Sequence, residues 1–410
     1  MGSGRTAIVF SGGGARGAYE AGVLAGLCEG VLPRLPPGFE FDLMSGTSVG
    51  AVHAAYLAAT SHLACGERSR LLADVWRGMR IRDVLQLSPR DLIGVPLRVL
   101  GATRLSRRLR AGAAVLGGLV DIAPLERIVT ERIPWQHLGA NLAAGRPGAL
   151  CVTCTQVRTG HATVFMDGPL ADPAPWAYDP SARALREPIG AAHVRASAAI
   201  PFLFPAVRLG EGYYVDGGLR QNTPLAPALR LGAERIVVIA LKHSPAPGVG
   251  NEVPPYPEEV ITQPIFLLGK VLDALMLDQL EVDLHRMELV NRILSRGTEV
   301  YGAGFAARIN EGVREVRGLG FRPVRAAVIR PSEDVGRVAA DAWARSGGSR
   351  ALGGLAGLLV GLSRIGVPRD EADFLSYLYF DRSYTRELLD LGRQDLAARA
   401  DELVALLGGD

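Results

Sequence analysis

A five-residue run with glycine at both ends restricts the possible folds of this chain more than any other segment. Residues 46–50 read Gly-Thr-Ser-Val-Gly, after the apolar segment Phe41–Met44 and before the alanine-rich segment Ala51–Ala59. The pattern G-x-S-x-G between a strand and a helix is typical of a nucleophile elbow, a sharp turn that holds its serine in a strained conformation. Both glycines would let the backbone pass closely, because they carry no side chain. The run therefore predicts a buried strand, a tight turn at Ser48 and a helix.

A second glycine-rich segment, Ser11–Gly17, lies between the apolar strand Thr6–Phe10 and a segment with helical periodicity. Successive glycines in this position expose backbone N–H groups, which can hold a phosphate or stabilise an oxyanion. A nucleotide site is the rival interpretation. The lysine and hydroxyl residue of a Walker loop are missing, however, and the dinucleotide spacing G-x-G-x-x-G is only loosely present. The nucleotide interpretation is therefore the weaker one.

A third feature is the tripeptide Asp216-Gly-Gly, which follows a short apolar strand. On its own, this tripeptide is common turn chemistry. A Ser-His-Asp triad in the chain order Ser, Asp, His would need a histidine after Asp216, and His243 and His285 both follow it. Neither has the turn context of a catalytic histidine, since His243 borders a proline-rich loop and His285 sits in a helical pattern. The residues therefore favour a two-residue site of Ser48 and Asp216.

The first half of the chain alternates strand and helix signals, which predicts an α/β fold with a mostly parallel, buried central sheet. From about residue 246 the pattern is mostly helical. We therefore expect a catalytic domain over residues 1–245 and a helical C-terminal region over 246–410 that packs on it. The predicted strands are Thr6–Phe10, Phe39–Met44, Leu150–Val157, Ala162–Met166, Tyr213–Val215, Arg235–Leu241 and Arg322–Arg330.

The charge of the chain is nearly balanced, with 45 basic and 42 acidic residues, and this argues against nucleic-acid binding. Residues 67–118 are nevertheless rich in arginine. This segment is interpreted as a helical insertion in the catalytic domain. It is either a solvated surface in a protein with abundant arginine throughout, or a cap that lies against anionic lipid headgroups. The first interpretation is favoured.

The four cysteines are too sparse for a disulfide framework in a chain of this length. Cys151 and Cys154 fall in a predicted strand, so their thiols should point to opposite faces and be buried rather than bind zinc. The N-terminus lacks a signal-peptide pattern, and no apolar run is long enough to span a membrane. We therefore expect a soluble, cytoplasmic protein that can bind peripherally to the inner membrane surface.

Taken together, the glycine loop, the elbow and the Asp216 turn resemble the patatin-like phospholipases of bacteria. The resemblance covers about residues 5–241 and includes Arg195–Pro205, Asn222, Pro224 and Leu231–Ile236. It implies a three-layer α/β/α fold and a Ser–Asp dyad that cleaves lipid esters without a metal or a cofactor. Ser48 would attack the ester carbonyl, and Asp216 would accept its proton and later activate water.

The resemblance also implies roles for the glycines. Backbone N–H groups of the first loop would form the oxyanion hole, and a neighbouring arginine would support that loop. Other glycines would support the elbow and the aspartate turn. The residues concerned are Gly12, Gly13, Gly14 and Arg16 at the oxyanion hole, and Gly46, Gly50, Gly217 and Gly218 at the elbow and turn.

Three classes of function fit these residues. The first is a lipid acyl hydrolase of the phospholipase A or lysophospholipase type, and the second is a thioesterase or small-ester esterase with the same dyad. The third, a noncatalytic lipid-binding regulatory protein, is disfavoured because both dyad residues and all three loop glycines are intact. The motifs leave the headgroup, the acyl chain, any activator and the oligomeric state open. A free aspartate, with a pKa of about 3.9, is too weak a base for this chemistry, so we expect burial to raise the pKa of Asp216.

Overall fold

The computed structural model describes residues 4–80, 83–84, 123–201, 203–243, 280–346 and 373–408. Most of the predicted arginine-rich insertion and the start of the C-terminal region lie outside these residues. The strands of the described part are β1 (Arg5–Phe10), β2 (Leu43–Thr47), β3 (Ala149–Gln156), β4 (Ala162–Asp167), β5 (Ala182–Arg186), β6 (Val207–Leu209), β7 (Gly212–Asp216), β8 (Ala233–Ile239) and β9 (Arg325–Ile329). Its helices are α1 (Gly17–Gly30), α2 (Val49–Ala59), α3 (Cys65–Gly78), α4 (Ala123–Arg132), α5 (Trp135–Ala143), α6 (Ala191–Ser197), α7 (Leu225–Arg230), α8 (Leu280–Tyr301), α9 (Phe305–Arg317), α10 (Val335–Arg345), α11 (Asp373–Leu378), α12 (Arg382–Ala398) and α13 (Ala400–Gly408).

These strands form one sheet in the order β5-β4-β3-β2-β1-β8-β9, with β7 beside β3 and β6 beside β7. Strand β1 runs parallel to β2 and β8, and the pairs β2–β3, β4–β5 and β8–β9 are also parallel. The pairs β3–β4, β3–β7 and β6–β7 are antiparallel. The predicted α/β fold with a mostly parallel central sheet is confirmed.

Helices cover both faces of this sheet, which explains why the central strands β1, β2, β3 and β8 are buried along almost their whole length. One core contains residues of α1, α2, α3, α10 and α12 packed against one face of the sheet. The second core contains residues of α7 and α8 against the other face. Strand β9 and helix α12 both lie in the predicted C-terminal region. Strand β9 pairs with β8 in the sheet, and helix α12 packs on α1. Within the described residues, no helix is both long and apolar enough to cross a membrane.

Some predicted elements differ from the structure. The predicted strand from Phe39 begins only at Leu43, because the Asp42 carboxylate bonds the backbone N–H of Thr6 at 2.7 Å and so fixes the entry into the sheet. Strands β5 and β6 were not predicted. Both are short and partly exposed, so they lack the apolar run on which the prediction rests.

The cysteines divide into one bonded pair and two free thiols. Cys28 and Cys65 form a disulfide between the end of α1 and the start of α3, with their Cα atoms 5.5 Å apart. The sparse cysteines gave no sign of this pair, which only the packing of α1 against α3 brings together. Cys151 and Cys154 are free and buried, and they belong to the cores on opposite faces of the sheet, as predicted.

Candidate active site

The pairing along β3 explains why Ser48 and Asp216 lie near each other. Strand β2 runs beside the first part of β3 and ends where Thr47 pairs with Thr153. Strand β7 runs beside the last part of β3 and ends where Asp216 pairs with Cys154. The two strands therefore meet end to end along the same strand. Residues more than 160 positions apart in the sequence come together at this junction.

Ser48 occupies the turn between β2 and α2 in a strained conformation. Its φ of 56° makes it the one non-glycine residue with a positive φ in the described part of the chain. Such strain is characteristic of functional sites. A Cβ on Gly46 would lie 2.2 Å from the Gly50 carbonyl oxygen, and a Cβ on Gly50 would lie 2.5 Å from that of Phe10. The turn therefore needs both glycines, as the sequence pattern predicts.

Ser197 holds the elbow in place through two hydrogen bonds, a role that no sequence pattern indicated. Its hydroxyl accepts a hydrogen bond from the backbone N–H of Ser48 at 2.9 Å and donates one to the carbonyl of Thr153 at 2.6 Å. The bridge ties the elbow to β3 and is fully buried. Ser197 lies in the segment Arg195–Pro205, which contributes to the family resemblance, but a small serine next to alanines carries no signal of its own.

Asp216 is fully buried at the end of β7, and Ser48 is only 3% exposed. One carboxylate oxygen, Oδ1, accepts a hydrogen bond from the backbone N–H of Gly218 at 2.7 Å. The other oxygen, Oδ2, is buried and has no hydrogen-bond partner within the described residues. Gly217 lets the turn pass under β3, since a Cβ there would lie 2.2 Å from the Thr153 carbonyl oxygen.

Burial raises the pKa of Asp216 from 3.8 to about 7. The Gly218 N–H and the nearby Ser48 hydroxyl lower this pKa again, but to a smaller extent. The serine hydroxyl is thus close enough to interact with the carboxyl group. Since Oδ1 is occupied by Gly218, Oδ2 is the oxygen left to receive a proton.

The histidines of the chain make their bonds elsewhere. His53, the one on α2, is fully buried, and burial lowers its pKa to about 3. The Trp76 indole N–H donates to Nε2 of His53 at 2.9 Å, so the ring proton sits on Nδ1, 2.5 Å from the Glu20 carboxylate. His243 bonds the Pro331 carbonyl. In the described residues, no hydrogen bond joins a histidine to the dyad.

The glycine loop differs from the prediction at one position. Gly12 was expected to donate its N–H to an oxyanion, but this N–H donates to the Asn222 carbonyl at 2.9 Å. The reason is that residues 221–223 run directly beneath the loop. Gly13 and Gly14 have no such bond from their N–H groups within the described residues. Gly14 also lines the same cavity as Ser48.

Arg16 connects the loop to the C-terminal region. Its backbone N–H bonds the Gly13 carbonyl, and its buried guanidinium donates to the Ser376 hydroxyl at 2.7 Å and lies 4.0 Å from the ring centre of Tyr377. The carbonyl of Tyr377 packs so closely on Gly14 that a Cβ there would lie 2.3 Å away. The positive φ of Gly14, 56°, also favours glycine at this position. The helix α11 therefore covers the glycine loop.

An apolar cavity opens beside Ser48. Its surface is almost entirely carbon, from helices α2, α3, α4 and α11 and from the segment after α6. The lining side chains include Val49, Trp76, Met79, Ile128, Ile200, Phe204, Leu378 and Phe380. A serine beside a buried carboxyl group therefore faces a space suited to hydrocarbon.

Comparison with known proteins agrees with this geometry. The model of the patatin-like phospholipase family matches residues 8–229, more than half of the chain. The chain belongs to this family. Patatin-like phospholipases are serine hydrolases, so the predicted resemblance and enzyme class are confirmed.

Two individual proteins are also similar to parts of this chain. The chain is 30% identical over 217 residues to a cGAMP-activated phospholipase of Pseudomonas aeruginosa. The aligned residues make up 53% of each protein. The chain thus matches about half the length of that relative. The structure of VipD from Legionella pneumophila aligns over 95% of this chain and 67% of that chain, with a TM-score of 0.32 and 14% identity.

Proposed function

We propose that the chain hydrolyses carboxylic ester bonds of acyl lipids with Ser48 as nucleophile and Asp216 as base. The observation that carries this proposal is the pair itself: a strained serine beside a buried carboxyl whose pKa is raised to about 7, at the wall of an apolar cavity. A base with a pKa near the working pH accepts and returns a proton most effectively.

In the first step, the Ser48 oxygen attacks the ester carbonyl carbon while its proton moves to Oδ2 of Asp216. The negative charge on the carbonyl oxygen is stabilised by backbone N–H groups of the glycine loop. We assign this role to Gly13 and Gly14, since the N–H of Gly12 is already bonded. The bond to the leaving alcohol then breaks, and Asp216 returns the proton to the alcohol oxygen. The product is an acyl ester on Ser48.

In the second step, water attacks the acyl-enzyme. As the water oxygen bonds to the acyl carbon, Asp216 takes one proton from the water. The bond to the Ser48 oxygen then breaks, and Asp216 gives its proton back to the serine. The fatty acid leaves, and both residues return to their starting state. Arg16 supports these steps by holding α11 against the loop.

The substrate class follows from the cavity. Valine, isoleucine, leucine and aromatic side chains would bury an acyl chain at about 25 cal/mol per Å² of apolar surface. A long acyl chain fits this lining better than a short polar ester does. The substrate would therefore be an acyl lipid in a membrane, and the protein would bind peripherally to the membrane surface. A thioesterase with the same dyad is the alternative.

The test is a substrate panel with Ser48→Ala as the control. Purified protein is assayed on phospholipids, lysophospholipids, neutral lipids, acyl-CoA and a short soluble ester. The panel is run with and without cGAMP, because the Pseudomonas relative is named for that activator. We expect hydrolysis of phospholipid or lysophospholipid that the control lacks. Preferential cleavage of acyl-CoA would favour the thioesterase. Activity of the control equal to that of the wild type would refute the proposal.

The pKa of Asp216 predicts the pH dependence. Asp216 acts as a base only when it is deprotonated, so kcat/KM should rise with pH and level off above about 7. Below that pH the rate should fall about tenfold per unit, because one proton inactivates the base. The measurement is kcat/KM for a soluble ester from pH 4.5 to 9 at constant ionic strength. A midpoint near 4 would contradict the assignment, since it would mean that the base is not desolvated.

A further inference from the structure

A second cavity lies on the other face of the sheet from the Ser48 cavity. Its volume is about 420 Å³, and helices α7 and α8 line it together with residues 179–182, 220–223 and 317–324. Several of its apolar lining residues belong to the second core, whereas most of those beside Ser48 belong to the first. The size lies in the range of small-molecule sites, which is about 300–1,000 Å³. This space has no part in the mechanism above.

The lining of this cavity carries an excess of positive charge. Five arginines and two aspartates face it, and both aspartates are already paired. Asp179 bonds Arg230 at 2.6 Å, and Asp283 lies 3.7 Å from Arg286. The three other arginines have no carboxylate within ion-pair distance in the described part of the chain. They are Arg220, Arg317 and Arg322.

Two of these arginines are held at the cavity by hydrogen bonds to the backbone or by a ring contact rather than by an ion pair. Arg322 is half-buried and donates to the backbone carbonyls of Leu229 and Ala233. Arg317 lies 5.1 Å from the ring centre of Phe321. The pKa of Arg317 is lowered by partial burial and, to a smaller extent, by the charge of Arg230. The residue remains accessible to solvent. Burial also lowers the pKa of Arg322; Glu234 opposes that shift, and Arg5 and Arg317 add to it.

Like charges gathered around a cavity repel each other, and an anion bound between them offsets this repulsion. We propose that this cavity binds a small molecule that carries phosphate, with Arg317 and Arg322 as its principal contacts. Guanidinium groups bind phosphate through two parallel hydrogen bonds, and a phosphate group offers up to about two negative charges and three acceptor oxygens where a carboxylate offers one charge. Three arginines without an ion-pair partner among the described residues favour a ligand with at least two negative charges.

The cavity is connected to the catalytic loops through one short segment. Residues 221–223 line the cavity on one side and hold the active site on the other. The carbonyl of Asn222 accepts the Gly12 N–H at 2.9 Å, and that of Gln221 accepts the Thr47 hydroxyl at 2.8 Å. A ligand that moves this segment therefore changes the glycine loop and the elbow. Binding does not depend on the proposed function, whereas an effect on ester hydrolysis rests on it.

The test measures the binding of inorganic pyrophosphate by calorimetry at low salt. The wild type should bind, and Arg317→Gln should weaken binding by about tenfold or more, because charge-assisted hydrogen bonds are lost. Arg322→Gln should do the same, but Arg317→Gln is the safer variant because Arg322 also bonds the backbone. The matched control is Arg292→Gln on α8, since Arg292 is exposed, pairs with Glu288 and does not line the cavity.

Two further arms identify the source of the phosphate and separate binding from catalysis. Binding to phosphatidylglycerol vesicles is measured with the same variants. If only vesicle binding depends on Arg317, the ligand is a lipid headgroup; if pyrophosphate binding depends on it, the ligand is soluble. The Ser48→Ala variant should bind like the wild type, whatever its activity. The proposal fails if neither probe depends on Arg317, or if Arg292→Gln weakens binding equally.

Discussion

Replacing Ser48 by alanine is expected to lower ester hydrolysis by about 10⁶-fold, because the hydroxyl that attacks the ester is lost. The fold should survive, since the Ser197 hydroxyl still accepts the backbone N–H of residue 48. The measurement is kcat on a short soluble ester, with thermal unfolding as the test of folding. A fluorophosphonate probe should label wild-type Ser48 and leave the variant unmodified. Labelling of a different serine would overturn the assignment.

A matched variant at the same position separates chemistry from strain. Ser48→Gly also removes the nucleophile, but glycine adopts a φ of 56° without a steric penalty. We expect it to be more stable than Ser48→Ala by about 1 kcal/mol, because relief of strain outweighs the entropy that glycine gains in the unfolded chain. Equal stability of the two variants would mean that the turn carries no strain.

Replacing Asp216 by asparagine is expected to lower hydrolysis by about 10⁴-fold or more and to stabilise the fold at alkaline pH. The amide keeps the oxygen that accepts the Gly218 N–H, so the turn can be retained. Its nitrogen replaces Oδ2 but cannot accept the serine proton. No histidine of the described residues is bonded to the site to take over as base. Activity within tenfold of the wild type would refute the role of Asp216.

The stability effect should depend on pH in a defined direction. In the folded wild type the pKa of Asp216 is raised from 3.8 to about 7, so the native state binds more protons than the unfolded state between these values. Wild-type stability should therefore fall as pH rises through this window, by up to about 4 kcal/mol in total. The asparagine variant lacks this loss, so its advantage should grow from pH 4 to pH 8. Urea unfolding at both values measures it, and a constant difference would contradict burial as the cause.

The local structure of the candidate site around Ser48 was predictable because it rests on short-range patterns. The strand, glycine and helix signals around Ser48 specify the elbow, and its positive φ agrees with that expectation. Asp216 was identified through the ordered motifs together, since Asp-Gly-Gly alone is an ordinary turn. What brings the aspartate to the serine is the shared pairing of β2 and β7 along β3. Neither strand carries a local sign of that arrangement.

The errors and omissions depend on contacts between distant segments. The N–H of Gly12 is taken by Asn222, about 210 residues away, and no glycine pattern reveals that partner. Ser197 is a small residue among alanines, and its role follows only from the bonds it makes to Ser48 and β3. The pair Cys28 and Cys65 forms because α1 and α3 pack together. Each of these contacts depends on how distant segments pack together, which the local sequence does not indicate.

The cover of the glycine loop by α11 has a consequence for how such enzymes diverge. The family match ends at residue 229, yet Tyr377, Leu378 and Phe380 form one wall of the Ser48 cavity. In the proposed mechanism, the reacting groups and part of the surface that would receive the acyl chain are therefore encoded in separate stretches of the gene. Two relatives can keep the same dyad and glycine loop while a change near residue 377 alters which lipid fits. Substrate preference can evolve here without any change to the groups that break the bond.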